Sequence, residues 1–307
     1  DPVIGTDQTY DQKGAESPCV VKKAPNNYLM FYRGWGNDDI HRIVKTTSTD
    51  GVTWTRQGVV FSPVNAWEGT KVSPMTVLLE GSTLKMWYEG GGGAGIGYAE
   101  SADDGNSWTR EASPVLSPGP DKYDNWGVGE NHVVKVGKKY VMLYKGYGEQ
   151  YPGWAYFCYA ESGNGKQWTK AGIKLKAILG IGEHEDLRAI RFIKINEEYV
   201  AFFSDSTQNE LEMASSADFF TWTRHGLVLR KRPANQWDSA WVTSSYQLIE
   251  DTTFVIYYEG GGNDGKCRIM RATINKQTIV DQLNIIVKAD PQLDLGLLPE
   301  SLPHNVL

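Results

Sequence analysis

Short apolar runs alternate with polar, glycine-rich turns along most of the chain. Residues 72–79 form a mostly apolar run, typical of a strand that is packed on both faces. After a glycine turn, shorter runs follow at 84–88, 96–100 and 109–116. Runs of this length with tight turns between them predict four antiparallel strands in chain order.

The four-strand segment occurs in five copies along the chain. One marker is a Tyr-x-Gly phrase, Phe-Ser-Asp in the fourth copy, and its aromatic residues are Tyr32, Tyr88, Tyr144, Phe203 and Tyr258. These residues are 56, 56, 59 and 55 positions apart. A second marker is a turn that begins at serine and ends at Trp54, Trp108, Trp168 or Trp222. Two independent markers with one period predict an all-β fold, a five-bladed β-propeller of four-stranded antiparallel blades.

The two ends of the chain predict how the ring closes. The fifth repeat lacks the Ser…Trp turn, and the phrase that starts at Pro2 resembles the outer-strand phrase that starts at Pro114. We expect residues 2–5 to supply the missing outer strand of the last blade, which removes an open sheet edge. The predicted propeller spans residues 1–275. Residues 276–307 are then a C-terminal extension that packs on the propeller or on a neighbouring chain, as in a homo-oligomer.

Charge and hydropathy exclude two classes of partner. A net charge of −6 argues against nucleic acid, whose affinity depends on an excess of Lys and Arg. No apolar run approaches the ~18 residues needed to cross a bilayer, so no membrane partner is expected. Cys19, Cys158 and Cys267 lie in separate repeats and are interpreted as buried free thiols. The histidines are scattered, so no metal or other cofactor is expected.

Propeller geometry predicts where a site lies. First-strand starts and second-strand ends of all blades meet on one face, around the axis. The polar residues at those positions are Glu16 with Arg33, Lys71 with Glu89, Glu130 with Lys145, Asp186 with Asp205, and Asp238 with Glu259. Nearby positions add Trp35, Trp126, His132, Arg188 and Trp241. Indoles that stack on sugar rings, and charged groups that bind hydroxyls, predict a carbohydrate-binding concavity.

Two alternatives stay open for these residues. Each cation can instead pair with a neighbouring acid and touch no ligand, and the Trp side chains can pack between blades. The carboxyl groups also suit catalysis, since glycoside hydrolysis needs one carboxyl as acid and a second to activate water or attack the sugar. Glu130 is the strongest catalytic candidate, with Asp186 or Glu16 as its partner. Asp186 lies in the acidic phrase 183–188, where repulsion can raise a pKa, although a solvated loop fits equally well.

The five repeats and their opening phrases resemble the five-bladed glycosidase superfamily of glycoside hydrolase family 43, the invertases and the levansucrases. The resemblance covers about residues 2–274. Family 43 has its general acid in a Glu-Gly-Pro-His phrase that opens the third blade, where this chain has Glu130-Asn-His. That family opens its first two blades on Asp-Pro. Here Ser17 and Ser73 precede the prolines, and Glu16 is displaced by one residue.

The resemblance implies a glycoside hydrolase that cleaves an oligosaccharide or polysaccharide outside the cell, at the cell surface or in the periplasm. By analogy with family 43 the reaction would invert configuration, with two carboxyl groups ~6.5–9.5 Å apart. The family sometimes holds calcium or another ion in the axial channel. Serine at the Asp positions favours an alternative, a non-catalytic glycan-binding propeller. Another alternative is a structural or virion-type propeller that assembles through its C-terminal tail.

Overall fold

The computed structural model describes residues 1–149, 155–172, 187–195, 198–205, 209–217, 222–234, 236–250 and 252–282. Of the predicted site residues, Asp186 lies outside these ranges, and the side chains of Arg188 and Asp205 are not described. Residues 283–307, most of the predicted extension, also lie outside them.

The described elements are almost all strands. The first blade has β1 (Gly14–Ala24), β2 (Asn27–Trp35), β3 (His41–Ser48) and β4 (Thr55–Phe61). The second has β5 (Val72–Glu80), β6 (Thr83–Gly90), β7 (Gly95–Ser101) and β8 (Thr109–Arg110). The third has β9 (Gly127–Val136), β10 (Lys139–Tyr147), β11 (Ala155–Ser162) and β12 (Thr169–Lys170). The fourth has β13 (Leu187–Ile195), β14 (Glu198–Asp205), β15 (Leu211–Ser216) and β16 (Thr223–Leu229). The fifth has β17 (Trp241–Ile249), β18 (Thr253–Gly261) and β19 (Cys267–Asn275).

Consecutive strands within each blade pair antiparallel, so the five-bladed, four-stranded prediction is confirmed. The outer strand of the second blade is shorter than predicted. β8 contains two residues, and Leu116 then makes a separate bridge to Ile96. Pro114 lies between these two pairings, and a proline has no N–H to donate to a ladder.

The N-terminal segment closes the ring as expected. The Ile4 N–H donates to the carbonyl of Ile269 on β19 at 3.1 Å, and the Ile269 N–H donates back to the Ile4 carbonyl at 3.1 Å. β1 also pairs in parallel with β19, at Gly14 and Cys267. The first and fifth blades therefore form one continuous seven-stranded sheet.

The two sequence markers have separate structural roles. In three blades, the Trp at the end of the serine turn packs against an aromatic residue of the preceding blade. These pairs are Trp54 with Tyr257 at 5.7 Å, Trp108 with Phe31 at 5.4 Å, and Trp168 with Trp87 at 6.4 Å between ring centroids. The Tyr marker instead anchors a buried acid. The pairs are Tyr32 with Asp11 at 2.8 Å, Tyr88 with Glu68 at 2.7 Å, Tyr144 with Asp124 at 2.9 Å, and Tyr258 with Asp238 at 2.7 Å.

The chain leaves the fifth blade through a short helix. A 3-10 helix, Ala66–Glu68, precedes the second blade, and α1 (Lys276–Gln282) follows β19. Ile279 and Val280 of α1 are buried, and Ile279 packs in the apolar cluster of the fourth and fifth blades. No helix in the described part of the chain is long and apolar enough to cross a membrane. The domain boundary after residue 275 and assembly through the tail stay predictions.

Candidate active site

Every innermost strand is irregular near its start, on the face where the predicted site lies. The pairing of β1, β5, β9, β13 and β17 with the next strand shifts register at this point. Four non-glycine residues there have a positive φ: Ser17 at 51°, Glu130 at 39°, Ala189 at 51° and Ser244 at 45°. In β5 this position holds Pro74, whose ring fixes φ near −65°. Such bulges re-aim side chains, and backbone strain of this kind concentrates at functional sites.

At the seam between the first and fifth blades, the buried Glu16, Glu259 and Cys267 form a cluster with the partly exposed Arg33. The Arg33 guanidinium pairs with Glu16. The Ser17 N–H donates to Glu259 Oε2 at 3.4 Å, and the Cys267 thiol donates to Glu259 Oε1 at 3.7 Å. One ligand atom each from Glu16, Glu259 and Cys267 lies within 4.8 Å of the others.

The two carboxyl groups of this cluster have opposite pKa shifts. Burial and the neighbouring charge of Glu16 raise the pKa of Glu259 to about 7. Burial acts on Glu16 in the same direction, but the Arg33 guanidinium and the Cys267 thiol hold the pKa of Glu16 below its usual range. Below about pH 7, the pair therefore holds its proton on Glu259 and its negative charge on Glu16.

At the junction of the second and third blades, Glu89, Glu130 and Lys145 form the other cluster. The Glu130 N–H donates to Glu89 Oε2 at 3.0 Å. Lys145 Nζ lies 3.4 Å from Glu130 Oε1, and the Ala189 N–H donates to Glu130 Oε2 at 3.0 Å. Burial raises the pKa of Glu89, an effect that the charges of Arg33 and Lys145 oppose. The Glu130 side chain is 28% exposed, against 5% for Glu16, so Glu130 is the more accessible carboxyl to a ligand.

Arg33 connects the two clusters. Although burial opposes its charge, the carboxylates of Glu16, Glu259 and Glu89 raise the pKa of Arg33. Side chains from four blades thus surround one polar hub, as the propeller geometry predicted. Arg33 and Lys145 each pair with an acid inside the hub, and their contact with a ligand stays a prediction.

The fourth blade contributes backbone at the same level. Leu187 pairs with Asp205, and Arg188 pairs with Ser204, at the end of the hairpin that corresponds to Glu16 and Arg33 in the first blade. Sequence reasoning missed Arg191, which is 3% exposed and donates to the Asn131 carbonyl at 3.4 Å. Burial lowers the pKa of this guanidinium.

Two predicted site residues, Asp238 and His132, are buried against protein groups, which corrects the expectation that they line an open site. Asp238 is fully buried, and its carboxylate accepts from the Tyr258 hydroxyl and pairs with Arg232 Nε at 2.5 Å. His132 is also buried. Its Nδ1 accepts from the Phe192 N–H at 3.1 Å, and burial lowers its pKa well below the usual value. Both side chains are thus buried and hydrogen-bonded to neighbouring protein groups.

The remaining predicted residues are outside the two clusters. Lys71 is exposed, and its backbone bridges to His41. Trp35 packs against the His41 ring at 5.2 Å, and Trp126 is 57% exposed. Trp241 is half-buried and lies against Gly261.

Among the described residues, Glu16, Glu259 and Cys267 form the group with the spacing of metal ligands. The Arg33 guanidinium already neutralises Glu16, and its positive charge competes with a bound cation. We therefore assign no metal to this cluster.

Comparison with known proteins shows the family. Residues 92–285, more than half of the chain, match the family model of beta-1,4-mannooligosaccharide phosphorylases, glycoside hydrolase family 130. The chain belongs to this family. The membership refines the resemblance to family 43: the five-bladed, carbohydrate-active fold is as expected, and the family is a different one.

Two curated relatives come from Thermoanaerobacter sp. (strain X514). The 1,2-beta-oligomannan phosphorylase is 29% identical over 171 residues, 55% of this chain and 54% of the relative. The beta-1,2-mannobiose phosphorylase is 29% identical over 163 residues, 47% of this chain and 51% of the relative. The chain thus spans about half the length of the curated relatives it matches. A solved glycoside hydrolase structure superimposes with a TM-score of 0.75 at 20% identity, over 89% of each chain, and supports the fold.

Proposed function

We propose that this family 130 protein cleaves a β-mannosidic bond of an oligosaccharide by phosphorolysis. The observation that carries the proposal is the family match, together with the names of the two curated relatives, both mannoside phosphorylases. In this reaction the bond from the mannosyl C1 to the leaving oxygen breaks. A bond from C1 to a phosphate oxygen forms, and the leaving oxygen takes a proton.

Glu130 is the proposed acid. Its carboxyl is accessible in the hub, and a bulge with a positive φ fixes its direction. In the free protein Lys145 pairs with Glu130. A phosphate dianion at the hub would compete for the Lys145 ammonium and leave the Glu130 carboxyl to face the leaving oxygen, to which it delivers the proton. Phosphate is the attacking group, so a second catalytic carboxyl is not required.

Hydrolysis is the second candidate. Arg33 and Lys145 already pair with carboxylates, and four glutamates lie around them. Cations that are already paired suit a neutral water acceptor better than an anion. In that case, Glu16 would activate the water, since Arg33 holds Glu16 ionised.

The acceptor decides between the two candidates. The protein is incubated with β-1,2-mannobiose in a phosphate buffer and in a phosphate-free buffer, and the products are separated. Phosphorolysis gives mannose 1-phosphate only when phosphate is present, and inversion makes it the α anomer by NMR. Free mannose as the only new product, formed at equal rates in both buffers, supports hydrolysis. Failure of both reactions across a panel of β-mannosides contradicts the proposal.

A further inference from the structure

A cavity of about 520 Å³ lies beside the hub, at the seam between the first and fifth blades. Its volume is within the range of about 300–1,000 Å³ that small-molecule sites span. The side chains that matter for its chemistry are Gln12, Lys13, Trp35, Asn37, Asp264 and Lys266. Neither the proposed cleavage step nor the family match assigns a role to this cavity.

The lining offers donors and acceptors without a dominant charge. The Lys13 ammonium pairs with Asp39, and Asp264 pairs with Arg268. The Lys266 ammonium makes no ion pair among the residues that the structure describes, and Gln12 and Asn37 add amide groups that donate and accept. A mixture of this kind fits the hydroxyl groups of a neutral sugar better than a phosphate or an acidic sugar.

Trp35 provides the apolar wall of the cavity and is held in place. Its indole N–H donates to Asp39 Oδ1 at 3.2 Å, and its ring contacts the His41 ring at 5.2 Å. The Lys13 ammonium lies 5.2 Å from the centre of the same ring. A fixed aromatic wall with polar groups around it limits the entropy that is lost when a ligand binds.

Residues on or next to three strands, β2, β3 and β19, lie between this cavity and the hub. Trp35 is two residues beyond Arg33 on β2, so both side chains lie on the same face, about 7 Å apart along the strand. Lys266 precedes Cys267, whose thiol contacts Glu259. Burial and the nearby charge of Arg33 lower the pKa of His41 to about 4, so His41 lies within the field of the hub. The cavity and the hub are therefore neighbours at the seam between the first and fifth blades.

We propose that this cavity is a subsite for a distal, neutral sugar unit of an oligosaccharide whose reacting bond lies at the hub. The inference rests on the proposed function, because it assumes that the hub holds the reacting bond. It predicts that the protein prefers longer oligosaccharides over a disaccharide, and that the cavity residues cause this preference.

The test compares β-1,2-mannotetraose with β-1,2-mannobiose as substrates in phosphate buffer. The measured quantity is the ratio of the two kcat/KM values, in which the concentration of folded enzyme cancels. Wild type should favour the tetraose. Lys266→Ala and, separately, Trp35→Ala should each lower the ratio by about fivefold, the effect of one lost hydrogen bond or contact. Lys138→Ala is the matched control, because Lys138 is an exposed lysine in the turn between β9 and β10.

A wild-type ratio near one, or a ratio that neither substitution changes, overturns the subsite while mannobiose cleavage still supports the proposed function. If wild type cleaves neither sugar, with or without phosphate, the proposed function fails. In that case, calorimetry measures binding of mannotetraose and tests the cavity independently of catalysis. Binding that Lys266→Ala weakens about fivefold supports a sugar site, and absence of binding to wild type overturns it.

Discussion

The backbone N–H of Glu130 donates to the carboxylate of Glu89 at 3.0 Å, across the junction of the second and third blades. Glu130 is also the residue with a positive φ in its strand, at 39°. A residue that is not glycine holds such a conformation only when its surroundings fix it. The Glu89 carboxylate is one of the groups that fix it, and this contact orients the proposed acid.

Glu89→Ala should lower kcat by about 10²-fold, since a small misplacement of a catalytic group costs a factor of this order. Because the substitution disturbs orientation more than ground-state binding, KM should change much less than kcat. Glu89→Gln keeps an oxygen that can accept the Glu130 N–H and should recover part of the loss. Steady-state kinetics of the three proteins tests this, and an equal loss in Glu89→Gln and Glu89→Ala would show that charge, rather than the hydrogen bond, matters.

Gly129→Ala should disturb the same contact from the other side. A Cβ at Gly129 would lie 2.5 Å from Glu89 Oε2, closer than atoms approach, so the carboxylate must move. We expect a fall in kcat with only a moderate loss of stability, of about 1–3 kcal/mol. Gly163→Ala is the matched control, because nothing lies within 4 Å of the added carbon. Thermal unfolding and kcat are measured for both variants, and a normal kcat in Gly129→Ala would exclude the contact from catalysis.

The buried Glu259 predicts a pH dependence of stability. Its pKa is raised to about 7 in the folded protein, from the ordinary glutamate value of 4.5 that applies in the unfolded chain. The folded state therefore holds a proton that the unfolded chain releases, and this contribution to the free energy of unfolding is lost as the pH rises from about 4.5 through 7. Glu259→Gln cannot ionise, so its free energy of unfolding should fall less than that of wild type over this window. Urea unfolding at pH 5 and pH 8 measures the difference. The same pH slope in both proteins would contradict the assignment.

Tyr258→Phe tests whether the hydrogen bond from the marker Tyr to a buried acid stabilises the fold. The substitution removes a hydroxyl that donates to the buried Asp238, which leaves a carboxylate oxygen with one partner fewer. The expected cost is about 1–3 kcal/mol of stability. Tyr123→Phe is the control, because the hydroxyl of Tyr123 donates to the exposed Asp121 and its loss should cost little. Equal melting temperatures of the two variants would argue against a stabilising role for the anchor.

The period of the repeats was enough to predict the number of blades and the hub pairs. Glu16 with Arg33 and Glu130 with Lys145 follow from strand starts and ends alone, because the antiparallel hairpin brings these positions together. The role of Asp238 could not be predicted in this way. Its place before a strand does not show whether the carboxylate points to the axis or to the hydroxyl of Tyr258, twenty residues later in the chain.

The bulges and the cluster at the seam between the first and fifth blades could not be predicted from the sequence either. A bulge depends on the pairing register of two strands, which the sequence does not show. The positive φ of Glu130 cannot be predicted either, because glutamate disfavours this conformation. For Cys267 the sequence predicts only a buried thiol, because the contact with Glu259 depends on closure of the ring through β1 and β19. The recurring Tyr marker did indicate the hydrogen bonds to buried acids, since four of the five repeats have Tyr rather than Phe at this buried position.

The central claim is that Glu130 at the hub carries out bond cleavage, and one measurement tests it most directly. The initial rate of mannose 1-phosphate release from β-1,2-mannobiose is compared for wild type, Glu130→Gln and Glu111→Gln, with folding checked by circular dichroism. Glu111 is a partly exposed glutamate outside the hub, paired with Lys166. The account predicts that Glu130→Gln loses at least about 10²-fold in rate and that Glu111→Gln keeps the wild-type rate. A folded Glu130→Gln protein with wild-type activity would contradict it.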